Sequence, residues 1–103
     1  MVVELNAEKY MDALVRNVDG DDFYDGAPAG CRTWLEYWQQ VKGRRPLYCQ
    51  ACGSTVDLVG AHVLKADHTD RKYYIVPLCR GCNNRTDWFW VNEAALAPSP
   101  SRL

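Results

Sequence analysis

The chain has 103 residues, of which 48% are hydrophobic, 24% charged and 12% aromatic, with a formal net charge of −1. The apolar content of this single domain's worth of chain excludes wholesale disorder, and seven Gly and five Pro exclude a collagen-like or low-complexity architecture. No apolar run approaches the roughly 18–20 residues of a membrane-spanning helix, so no membrane partner is expected.

In chain order, Leu5, Met11, Leu14, Val15 and Val18 recur at roughly helical spacing, with Asn6 placed to cap and Gly20 to stop. This pattern predicts an amphipathic helix over residues 7–17. Residues 19–30 (DGDDFYDGAPAG) read as a loop, and Phe23 at a ligand position excludes a calcium-binding reading. Thr33 and Glu36 form a capping box that opens a second helix over 34–42. Trp34, Leu35, Trp38 and Val41 lie on one face of it, and Gly43 and Pro46 end it.

Beyond it the chain is expected to be extended: strands at 56–60 and 61–64, or one bent strand with a bulge at Gly60. A polar loop over 65–72 leads to a third strand at 73–78 and a short helix or turn at 80–87. Trp88, Phe89, Trp90 and Val91 form an apolar knot expected in the core, and APSPSRL (97–103) reads as a frayed tail. The whole is expected to be one domain: a helical part (1–45), a cysteine-bearing core (46–92) and a tail (93–103).

The charge is unevenly distributed. Residues 1–30 carry seven acids against Lys9 and Arg16, a net −5, whereas residues 31–103 carry a net +4. A basic body of this kind is compatible with nucleic acid.

Cys49-Gln-Ala-Cys52 and Cys79-Arg-Gly-Cys82 are two CxxC pairs, each followed or interrupted by glycine (Gly53, Gly81). One tight turn of this spacing presents two thiolates to a single ion, and Zn²⁺ takes four such ligands in a tetrahedron. Glu4 and Glu8 stand where a secretion signal would be basic and then apolar, so the expected compartment is cytoplasmic. There cysteines favour metal over disulfides. The expectation is a structural Zn²⁺ held by Cys49, Cys52, Cys79 and Cys82, with a redox dithiol or an iron–sulfur centre as alternatives. Cys31 falls outside the pattern and reads as a small apolar residue.

Between the pairs lie Ala61-His62-Val63 and then YIVPLCRGCNNR (74–85). With CQACG (49–53), these segments resemble the HNH, or ββα-metal, endonuclease superfamily in its four-cysteine treble-clef form, over residues 47–87. Together with the two helices read at 7–17 and 34–42, the resemblance leads to an expected α+β fold, a small zinc-bound HNH-like unit preceded by two N-terminal helices. It also implies His62 as general base and Asn83 as ligand to a catalytic divalent cation such as Mg²⁺. The family's acid or histidine ligand before the base is replaced here by Ala61, and its central asparagine by Tyr74. Asp67, His68 or Asp70, in the following loop, could replace the missing ligand.

The sequence therefore supports an HNH-like zinc protein associated with DNA or another nucleic acid, without catalysis. A metal-dependent endonuclease or nickase is the alternative, and a zinc-stabilised protein-interaction module a further one. Lys42, Arg44, Arg45, Lys65, Arg71, Lys72, Arg80 and Arg85 are placed to contact phosphates, and Trp88, Phe89, Trp90, Tyr73 and Tyr74 to stack on bases or fill a protein groove.

Overall fold

In the computed structural model, residues 11–18, 26–67 and 72–102 are described. Five strands form one antiparallel sheet: β1 (Asp12–Asn17), β2 (Leu58–Lys65), β3 (Lys72–Cys79), β4 (Phe89–Asn92) and β5 (Ala97–Arg102), in the order β4-β1-β2-β3-β5. Among the described residues two short helices accompany it, α1 (Trp34–Lys42) and α2 (Arg80–Asn83), with a 3₁₀ turn at Glu93–Ala95. This is a small β-rich domain. The α+β treble clef behind two N-terminal helices is not the fold.

The correction begins in the first element. Residues 12–17, expected to be helical, are the strand β1; residues 7–10 of that expected helix lie outside the described residues. Ala13 and Val15 are buried, while Asp12 and Arg16 are exposed, a period of two rather than 3.6. The apolar spacing fits either template over so short a run, and pairing on both sides decides between them. Leu14 faces Trp90 on β4, and Asn17 faces Val63 on β2.

The centre of the sheet is the β2–β3 hairpin, in continuous register from Leu58↔Cys79 to Val63↔Tyr74. β2 is one strand, with no break at Gly60. That glycine is required for a different reason. A Cβ there would lie 2.5 Å from the backbone of Trp34 and Leu35. The first turn of α1 therefore rests directly on the β2 backbone.

The helix expected over 34–42 coincides with α1. Thr33 Oγ1 accepts the Glu36 N–H at 3.0 Å, and Gly43 closes the helix in the left-handed region (φ 68°). α1 packs on β2, β3 and β5. Trp38 is its buried anchor, and its indole N–H donates to the Ala95 carbonyl at 2.6 Å. Tyr37 donates its hydroxyl to the Pro98 carbonyl, also at 2.6 Å.

These two bonds explain why the C-terminal stretch is not frayed. Residues 97–102 add to β3 as edge strand β5, with Ala97 and Ser99 buried and Pro98 and Pro100 exposed. Proline is compatible with such an edge because its missing N–H faces away from the ladder, and it discourages further strand addition. The expected knot at 88–91 is likewise strand: Phe89 and Val91 are buried and Trp90 is exposed. Of the loop expected at 19–30, residues 19–25 lie outside the described residues, as do His68, Asp70 and Arg71 and the last residue, Leu103. Among the described residues no helix is long and apolar enough to cross a membrane.

Gly60→Ala tests the contact between α1 and β2. The added methyl meets backbone that cannot swing aside, so the substitution is expected to destabilise the zinc-loaded protein by about 1–3 kcal/mol. Urea unfolding should show a lower midpoint with an unchanged slope.

Candidate metal centre

The four CxxC cysteines converge. Cys49 and Cys52 lie on the turn before β2, Cys79 ends β3, and Cys82 is in α2. Their four Sγ atoms lie within 4.8 Å of one another, and Cys52 Sγ is 3.7 Å from Cys79 Sγ. A tetrahedral zinc with Zn–S near 2.3 Å requires sulfur–sulfur edges of about 3.8 Å. The geometry fits the ion, and with four sulfurs supplied by protein no position is left for water or substrate. Such a closed site is structural rather than catalytic. Cys31 is a free thiol outside the cluster.

Each knuckle is built by backbone hydrogen bonds. In the first, Cys49 N–H donates to Ser54 O (2.7 Å) and Gly53 N–H to Cys49 O (2.8 Å). Gly53 has φ 83°, a conformation that favours glycine. In the second, Cys82 N–H donates to Cys79 Sγ (3.4 Å), and Asn84 N–H to Gly81 O (3.1 Å).

Two longer connections hold the knuckles to the sheet. Gln50 N–H donates to the Pro77 carbonyl (3.0 Å), tying the first knuckle to β3. The Asn17 side-chain amide donates to Cys82 O (2.9 Å) and Arg85 O (3.0 Å), tying the second to β1. Nothing local in the sequence marks Asn17, because its partners lie 65 and 68 residues away.

The thiols are electrostatically unequal. Burial opposes ionisation of Cys49, but the backbone N–H groups of Cys79, Cys52 and Ala51 outweigh it and hold its pKa down to about 7. Burial, then the neighbouring thiols, push Cys82 up to about 12. Metal binding must displace these protons, since zinc is held by thiolate.

The two residues expected to be catalytic lie on different elements, His62 on β2 and Asn83 at the end of α2. His62 opposes Ile75 on β3 and sits edge-on to the Trp34 ring of α1, with centroids 4.5 Å apart. Its Nε2 is buried. Val63, the next residue, points to the opposite face, where its ladder partner Asn17 holds the second knuckle. Asn83, half-buried at the end of α2, belongs to that knuckle. His62 thus lies on the α1 side of β2, and Asn83 on the short helix of the second knuckle. Ala61 is buried against Val76, and Tyr74 is paired with Val63.

No family model matches the chain, and neither a curated protein nor a solved structure matches it. The four-cysteine cluster is thus the part of the HNH-like reading that the structure supports.

Two surface features lie outside the four-sulfur cluster. One is a cleft of about 430 Å³ lined by Arg32, Trp34, Leu35, Leu58, Gly60 and Arg80. The other is the exposure of Trp88 and Trp90.

Zinc removal tests the centre. The purified chain is expected to contain one zinc per molecule by elemental analysis, and Cys49→Ser to contain none. Because structural zinc contributes on the order of 10 kcal/mol, chelation should abolish the cooperative thermal transition. Protons compete for thiolates, so zinc affinity measured by chelator competition should fall as pH falls and rise as it rises.

Proposed function

We propose that the chain is a non-catalytic, zinc-stabilised module that binds nucleic acid. The observation that carries this reading is the cleft between the first turn of α1, the start of β2 and the second knuckle, into which Arg32 and Arg80 are set. Arg32 is highly exposed and 3.7 Å from Glu36. Arg80 is exposed and makes no ion pair among the described residues. Two guanidiniums at one opening match the chemistry of a phosphodiester, which accepts paired N–H donors.

Further positive charge gathers beyond α1. Arg44 and Arg45 are exposed, and partial burial together with the Arg44 charge holds the Lys42 pKa below its ordinary value. Phosphate contacts of this kind give affinity and register rather than sequence recognition. Catalysis does not belong to the reading, because a general base must reach the attacking water, and the His62 Nε2 is buried with its ring against Trp34.

Binding is measured with a fluorescently labelled oligonucleotide and the zinc-loaded chain. Affinity is expected to fall linearly with salt on logarithmic axes, and Arg80→Ala to reduce that slope by about 0.7–0.9. Salt-independent binding, or an Arg80→Ala slope equal to that of the parent, would refute the phosphate cleft. In a separate assay, supercoiled plasmid incubated with the protein and Mg²⁺ or Mn²⁺ should remain uncut, and nicking abolished by His62→Ala would overturn the non-catalytic assignment.

A further inference from the structure

We propose that the face of the sheet carrying Trp88, Trp90 and Arg16 is a stacking platform for unpaired nucleotides, an inference that rests on the nucleic-acid reading and assigns a second part of its surface. The strand register defines the surface. Trp88 and Trp90 alternate with buried Phe89 and Val91, so both indoles project from one face of β4 and its N-terminal approach. Leu14 opposes Trp90 on β1, and the Arg16 guanidinium lies over the Trp88 ring, 5.5 Å from its centroid. Trp88 is 42% exposed and Trp90 59%. α1 covers β2, β3 and β5 and leaves these rings to solvent.

The spacing suits bases. Residues i and i+2 of a strand are about 6.5–7 Å apart. That is about twice the 3.4 Å rise between stacked bases, so a single base fits between the two indoles. Arg16 adds a planar cation that can lie on a base or pair with its phosphate. In a duplex the flat faces of the bases are already stacked on one another, so this surface selects unpaired strands.

The surface is also continuous with the arginine cleft. Arg16 pairs with Leu64 on β2, on the face of that strand that also carries His62 and Gly60. The His62 ring lies 6.4 Å from that of Tyr73 and 4.5 Å from that of Trp34. Trp34 and Gly60 line the cleft that holds Arg32 and Arg80. Rings and guanidiniums thus succeed one another across the sheet from β4 to α1. This interleaving of cation and ring favours a polyanion with flat bases over an apolar protein surface.

The experiment uses the zinc-loaded full chain, the variants Trp88→Ala, Trp90→Ala and their double, and labelled oligothymidylate beside a duplex of equal length. Exposed rings should be removable with the zinc content and thermal midpoint unchanged. The unpaired strand is expected to bind more tightly than the duplex and to quench tryptophan emission. Each ring removed should weaken binding about tenfold while leaving the salt slope intact.

If the double variant binds oligothymidylate like the parent, or the duplex is preferred, the platform is refuted while the arginine cleft stands. If no nucleic acid binds at all, both proposals fall. If the chain self-associates in sedimentation and Trp90→Ala makes it monomeric without affecting nucleotide binding, the face is an interface between copies, which also overturns the platform.

Discussion

Four sulfur atoms from two turns lie within 4.8 Å of one another, and that convergence reaches through most of the fold. Cys79 is the last residue of β3 and Cys82 lies one turn later, so the second knuckle is fixed by where β3 ends. The first knuckle has no strand of its own. It is positioned by the bond from Gln50 to the Pro77 carbonyl and by the entry of the chain into β2, where Leu58 opposes Cys79. Hairpin register and metal geometry are therefore one constraint. A slip of one residue between β2 and β3 would turn Ala61 and Val63 out of the core and carry Leu58 past Cys79.

The remaining elements complete what the hairpin starts. α1 closes over β2 because Gly60 presents no side chain, and Trp38 and Tyr37 then secure the return of the chain into β5. On the other side, β1 brings Asn17 to the carbonyls of Cys82 and Arg85. A knuckle whose carbonyls accept from an asparagine amide is tied to the sheet by bonds that do not involve its sulfurs. A zinc ion at the four sulfurs would join two turns, one of which is tied in this way to β1.

What could be read from the sequence follows from the range of the interactions. The cysteine set is legible because each pair is local and the spacing reflects the chemistry of one turn. α1 is legible because its caps, Thr33 and Gly43, lie within the element itself. β1 and β5 were misread because nothing within six residues determines them. DALVRN is a strand only because β2 and β4 are there to pair with it, and APSPSR only because β3 and α1 receive it. The HNH-like pattern is met in its cysteines. It also places a histidine on a strand and an asparagine after a knuckle, but long-range packing decides what each side chain meets. The His62 ring lies against Trp34 of α1, with its Nε2 buried.

The tryptophans carry the same lesson into function. Composition alone assigns Trp88 and Trp90 to the core, since aromatic rings dominate the burial energy of small domains. Leaving such a ring in water forgoes roughly 2–3 kcal/mol of burial. Two exposed rings are then a large concession for a domain whose total stability is expected to be only about 5–15 kcal/mol. β4 had an alternative, because Phe89 and Val91 show that the strand can send apolar groups into the core. Exposed indoles on one face, with Arg16 laid over one of them, are thus not excess hydrophobicity left over from packing. A metal at the four sulfurs would bear on this balance, because the stability it supplied would permit a thin core to leave part of its aromatic surface outside.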